Sequence, residues 1–155
     1  MDTNGKIAFK NKLKNFCGQS IGERIAAVRE AMKNAQEAAN SEEKSSAGDK
    51  YETGRAMGHL QKDMYAGQLA GYLKEQAVLH AVNTGMLYNQ AAAGAFIQTA
   101  GMAFFIAAGL GKQAVEGQPV FFISPHAPLA ALLQHKKKGD SFLFNKETVI
   151  ITEVF

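Results

Sequence analysis

No proline occurs before Pro119 in this chain of 155 residues, and the other two, Pro125 and Pro128, follow closely. Proline removes a backbone donor and collides with the preceding helical turn, so its absence leaves the first 118 residues free to sustain long helices. Ile21, Ile25, Val28, Met32, Ala35 and Ala39 recur at spacings of four, three, four, three and four, a heptad seam that becomes small at its far end. A second apolar series follows in Met57, Leu60, Met64, Leu69, Tyr72 or Leu73, and Leu79. Between them Ser45, Ser46 and Gly48 interrupt helical continuity, which puts a turn within Glu42 to Gly48. The pattern predicts an antiparallel helical hairpin with arms about 50 Å long at 1.5 Å rise per residue. Gly54, Gly58, Gly67 and Gly71 lie inside the second arm. Each costs about 1 kcal/mol relative to alanine there, and close approach to the face of Ala27, Ala31, Ala35 and Ala38 is the expected offset.

From about Gly85 the pattern changes to period two and β-rich residues. Phe96–Ile97, Phe104–Ile106, "VFFI" at Val120–Ile123, "FLF" at Phe142–Phe144 and the terminal "TVIITEVF" all read as strands. "PLAALLQH", Pro128 to His135, reads as one short helix opened by proline, and "KKKGD" closes it with cations and a glycine. The expected architecture is α+β. Residues 1–84 form an N-terminal antiparallel coiled-coil hairpin with an acidic tip near 42–52, and residues 85–155 form a small β-sheet domain with one short helix.

Composition narrows the class of partner. With 46% hydrophobic and 20% charged residues the chain reads as a soluble globular protein, and a net charge of +3 is too mild for DNA to be the primary partner. No sequence-specific DNA binding is expected. One cysteine, Cys17, cannot form an internal disulfide, and the start shows no export signal, so a cytoplasmic location is expected. From Gln76 to Gly111 there is no charged side chain, which raises a membrane alternative; the glycines and amides within it favour strands and no membrane partner. Charge is also uneven: Lys6, Lys10, Lys12 and Lys14 face only Asp2 near the start, whereas Glu37 to Glu52 holds five acids and two lysines.

Asp49 and Glu52, three apart at the start of the second arm, share one face of its first turn. Capping accounts for such a pair by itself, because both carboxylates suit a helix N-terminus. The alternative is a pair of hard oxygen donors for Mg2+, a cation that accepts one or two protein carboxylates and keeps its waters. Elsewhere "GLGK" at Gly109–Lys112 lacks the remaining residues of a phosphate loop and reads as a hairpin turn. His59, His80, His126 and His135 show no ligand spacing, so no cofactor of the chain's own is expected.

"GDKYE", Gly48 to Glu52, resembles the hairpin-tip signature of the GreA/GreB transcript cleavage factors, in which an Asp and a Glu three apart follow a glycine. "FFISPHAPLAALLQHKKKGDSFLFNKETVIITEVF", Phe121 to Phe155, is similar to the C-terminal domain of the same family, in strand, Ser-Pro turn, short helix, Lys-x-Gly-Asp connection and closing strands. The chain departs from the pattern at "TGRAM" after the acid pair and at His126, where the family commonly has an acid. The resemblance implies a FKBP-like domain that docks on bacterial RNA polymerase through Ser124, Pro125, His126, Pro128 and Leu129. It also implies a monomer whose hairpin enters the secondary channel, where RNA is contacted within the elongation complex. Asp49 and Glu52 would then help hold the catalytic Mg2+ of the polymerase, favouring attack of water on backtracked RNA, with the polymerase itself the enzyme. Glu42 and Glu43 have no assigned place. Two other readings share the architecture: a Gre-like inhibitor that does not stimulate cleavage, and a FKBP-like prolyl isomerase. A plain helical adaptor that binds through the Ile21–Ala39 seam is a third.

Overall fold

The computed structural model describes residues 1–45 and 49–155, and the side chains of these except 42–45 and 49–53. Two helices, α1 (Thr3–Ser45) and α2 (Asp49–Ala81), precede six strands and one short helix. The strands are β1 (Phe96–Thr99), β2 (Ala103–Ile106), β3 (Gly111–Val115), β4 (Gln118–Ile123), β5 (Ser141–Phe144) and β6 (Glu147–Val154), with α3 (Pro128–Leu133) between β4 and β5. The chain is therefore α+β, and it divides into two compact units, residues 1–19 with 77–155 and residues 20–76.

The first unit is built on a mixed sheet of order β3-β4-β2-β1-β6-β5. β2 pairs parallel with β4, placing Phe104 beside Phe121 and Phe105 beside Phe122, and every other pairing is antiparallel. Side chains alternate across a strand, so consecutive phenylalanines serve opposite faces. On one face Phe104 meets Phe121, Phe142 and Phe144 at centroid distances of 5.2–5.4 Å. Ile97, Ile106 and Ile151 complete this core with Ala130 and Leu133 of α3. On the other face Phe9 and Phe16 of α1 lie 5.1 Å from Phe96 and 5.4 Å from Phe122. The sheet is thus covered on both sides, by α3 and by the first turns of α1. Each buried phenylalanine contributes about 1.5–3 kcal/mol of apolar transfer.

Two-sided cover explains why the strands within the uncharged interval carry no charge. β1 and β2 lie within Gln76–Gly111, and all four residues of β2 are buried. A strand buried on both faces reads as a continuous apolar run rather than an alternating one. Among the described residues no helix is long and apolar enough to cross a membrane.

Two local expectations are corrected. The third helix ends at Leu133, with Gln134 as its C-cap donating to Ala130 O and His135 in the left-handed region at φ 68°. The lysines after His135 therefore do not belong to the helix, and Gly139, at φ 93°, serves a separate turn in which the Lys137 N–H donates to Asp140 Oδ2 at 2.9 Å. "GLGK" is not a hairpin turn either. Gly111 and Lys112 open β3, and the β3–β4 hairpin turns at Glu116 and Gly117, whose φ values of 52° and 79° suit a tight turn of the right twist.

In the second unit Ile21, Ile25 and Val28 are buried and Met32, Ala35 and Ala39 half-buried, as the heptad predicts. On α2 the expected seam holds at Leu69, Tyr72 and Leu79 and fails at its start. Met57, Leu60 and Met64 are 60%, 71% and 52% exposed, while Gly54, Gly58, Tyr65, Leu69, Tyr72 and Gln76 are half-buried at spacings of four, seven, four, three and four. At Gly58 a Cβ would stand 3.5 Å from Ala39 Cβ, so the helices come close where both faces are small.

Candidate functional site

Asp49 and Glu52, with Glu42 and Glu43, fall among residues 42–53, so their side chains lie outside the described residues. What is described is the scaffold around them: α1 ends at Ser45 and α2 begins at Asp49, so the acidic segment lies where the two helices connect.

Ser124, Pro125 and His126 form a surface turn between β4 and α3, and Pro128 and Leu129 open α3. Ser124 Oγ accepts the His126 N–H at 3.1 Å, and Ser124 O accepts the Ala127 N–H at 3.0 Å. Ala127 then takes the extended N-cap conformation, φ −70° and ψ 150°, and Pro128 occupies the first helical turn, where its missing donor costs nothing. His126 and Pro128 are exposed, Ser124 and Pro125 half-buried, and Leu129 packs against the core beneath. The turn therefore presents an imidazole and a proline ring to solvent on a support fixed by Leu129. Behind it Pro125, His126, Ile106, Ala130 and Gln134 border a cavity of about 220 Å3.

The sequence reading missed how the first turns of α1 are fastened. Lys6, Lys10 and Lys14 recur every four residues and so share a face. Lys6 Nζ meets Glu153 at 2.7 Å, and Lys14 Nζ donates to Val82 O at 2.7 Å. Lys10 is fully buried: its Nζ donates to Met86 O at 2.6 Å and Gly94 O at 3.1 Å and lies 4.6 Å from the centroid of the Tyr88 ring. Desolvation lowers the Lys10 ammonium to about 8. The same burial raises the Tyr88 phenol, whose hydroxyl donates to Asn83 O at 2.8 Å. Gly94 closes this pocket with φ 94°, and a Cβ there would collide with Asn83 O. Lys12 pairs with Glu116 at 3.3 Å, so all four lysines of the basic start are engaged within their own unit. One signal was available. Lys10 stands three residues before Leu13 and seven before Cys17, in phase with the apolar seam.

Cys17 is buried, and burial pushes its thiol up to about 12, which leaves it a packing residue rather than a nucleophile. Among the described residues no three His, Cys, Asp or Glu side chains are arranged to hold a metal ion. No protein-family profile, curated protein or solved structure matches the chain.

Proposed function

We propose that this chain is a Gre-like elongation regulator of bacterial RNA polymerase. Its helical hairpin enters the secondary channel, and Asp49 and Glu52 add carboxylate oxygens to the polymerase's catalytic Mg2+. The observation that carries the reading is the coincidence of the acidic segment with the connection between α1 and α2. The separately cored sheet unit, read here as FKBP-like, supplies the docking turn of Ser124, Pro125, His126, Pro128 and Leu129.

The chemistry asked of the chain is small. Carboxylates carried on a helix bring negative charge to a fixed place, and a second metal position shared between two proteins stabilises both the attacking and the leaving oxygen of a phosphodiester. His126, at the turn's exposed apex, takes the place of an acid and gives the docking surface a different polarity.

Asp49→Asn tests the tip, because asparagine caps a helix as well as aspartate but carries no charge. The expected result is loss of cleavage in backtracked polymerase with binding retained. Equal cleavage by wild type and variant removes the metal role, and failure to retain polymerase from extract removes the whole reading.

A further inference from the structure

In the second unit two triplets of polar side chains converge on the groove between the helices. Lys33, Gln36 and Asn40 of α1 are spaced i, i+3, i+7, and Arg55, His59 and Lys62 of α2 are spaced i, i+4, i+7, so each triplet occupies one helix face. Together they border a cavity of about 410 Å3 that has no carboxylate among its described lining residues. Among the described residues none of Lys33, Arg55 and Lys62 forms an ion pair with a carboxylate. Gln36 Nε2 donates to Asn40 Oδ1 at 3.1 Å, which ties the two amides of the α1 triplet together. The small residues set the width: Gly58 approaches Ala39, and neither carries a side chain long enough to fill the space.

Three basic side chains bordering one cavity repel one another, and a bound anion relieves that repulsion while using their donors. The arginine offers a planar fork and the lysines point charges, a combination suited to phosphate oxygens. A single phosphate fits within a small fraction of this volume, whereas cavities of about 300–1,000 Å3 suit molecules of nucleotide size. We infer that the groove binds a small polyanion bearing a chain of two or three phosphates, the class that includes inorganic tripolyphosphate and the nucleoside triphosphates. The site requires neither the acidic tip nor polymerase, so its failure and that of the polymerase reading are separate results.

The test is titration of the full chain with inorganic tripolyphosphate, followed by calorimetry at about 0.1 M salt, where the Debye length is about 10 Å and diffuse attraction is largely screened. Saturable binding of one tripolyphosphate per chain is expected. The double variant Lys33→Gln, Lys62→Gln should weaken it about tenfold, the effect of losing two partly exposed ionic contacts. Lys137→Gln with Lys138→Gln, which removes the same charge elsewhere, should change it less than about twofold. Glutamine keeps nearly the helix propensity of lysine, and unchanged melting of the variants confirms that folding is intact. Competition by ATP at the same stoichiometry supports the site. Absence of saturation, equal losses in both double variants, or binding of a single-stranded RNA oligomer that tripolyphosphate does not displace overturns it.

Discussion

Replacing Lys10 by methionine converts a buried ammonium into an apolar chain of similar length, and its effect on stability should depend on pH in a direction the structure fixes. In the folded chain the ammonium titrates at about 8, lowered by desolvation from the ordinary lysine value of 10.5. Below the lower value both folded and unfolded chains carry the proton, and above the upper value neither does. Between them the unfolded chain holds a proton that the folded chain has released, so stability rises with pH across that window. At 1.36 kcal/mol per unit, raising the pH from 7 to 9.5 should stabilise wild type by about 2 kcal/mol relative to Lys10→Met. That figure is an upper value, because Met86 O, Gly94 O and the Tyr88 ring all favour the charged form. Urea unfolding of both proteins at matched pH values reads the difference directly, and the comparison cancels every group the two share. Parallel stability curves across this range would refute the reasoning, for they would show that the carbonyls and the ring fully offset the cost of burial.

The remaining predictions concern the second unit and one turn. Leu69→Ala should destabilise the helical pair by about 1–2 kcal/mol, because Leu69 lies on the half-buried seam, whereas Leu60→Ala should change urea stability by less than about 0.5 kcal/mol. Equal losses would restore Met57, Leu60 and Met64 as the packing face. In the β5–β6 hairpin Asn145 and Lys146 have φ of 49° and 67°, a conformation that costs asparagine less than lysine. Lys146→Gly should therefore raise the melting temperature, with a gain of about 0.5–1 kcal/mol, and a lower melting temperature would show that the lysine is unstrained.

What the sequence revealed followed from which rule each segment obeys. The α1 seam was legible because Ile21, Ile25 and Val28 are both periodic and large, and five of the six strands were legible because they are rich in phenylalanine, isoleucine and valine. β3 was not. Its residues, Gly-Lys-Gln-Ala-Val, form an edge strand with little burial, so neither hydrophobicity nor β propensity marked it. Counting β-rich runs also could not show that the first turns of α1 form a layer on the sheet. That fact was written in the doubled phenylalanines: Phe104–Phe105 and Phe121–Phe122 make sense only if both faces are covered. The candidate docking turn was legible as a Ser-Pro motif, and its geometry follows from the serine side chain and the helix-starting proline. The buried lysine was hidden by its type, since lysine normally signals solvent and only its phase with Leu13 and Cys17 indicated otherwise.

The choice of seam on α2 shows why periodicity by itself was insufficient. Both candidate faces of that helix repeat at heptad spacing, and the rejected one, Met57, Leu60 and Met64, is the more hydrophobic. Packing is nevertheless decided by the partner. On α1 the seam shrinks from Ile21, Ile25 and Val28 to Ala35 and Ala39, and on α2 it shrinks in the matching direction, from Tyr72, Leu69 and Tyr65 to Gly58 and Gly54. Two tapered faces of this kind let the backbones approach at the small end, where dispersion between close helices replaces the contribution of large side chains. Methionine at that end would hold the helices apart and forfeit those contacts. The same approach leaves Lys33, Arg55 and Lys62 exposed at the margins of the seam, where all three border one groove, so the groove and its charge follow from the taper.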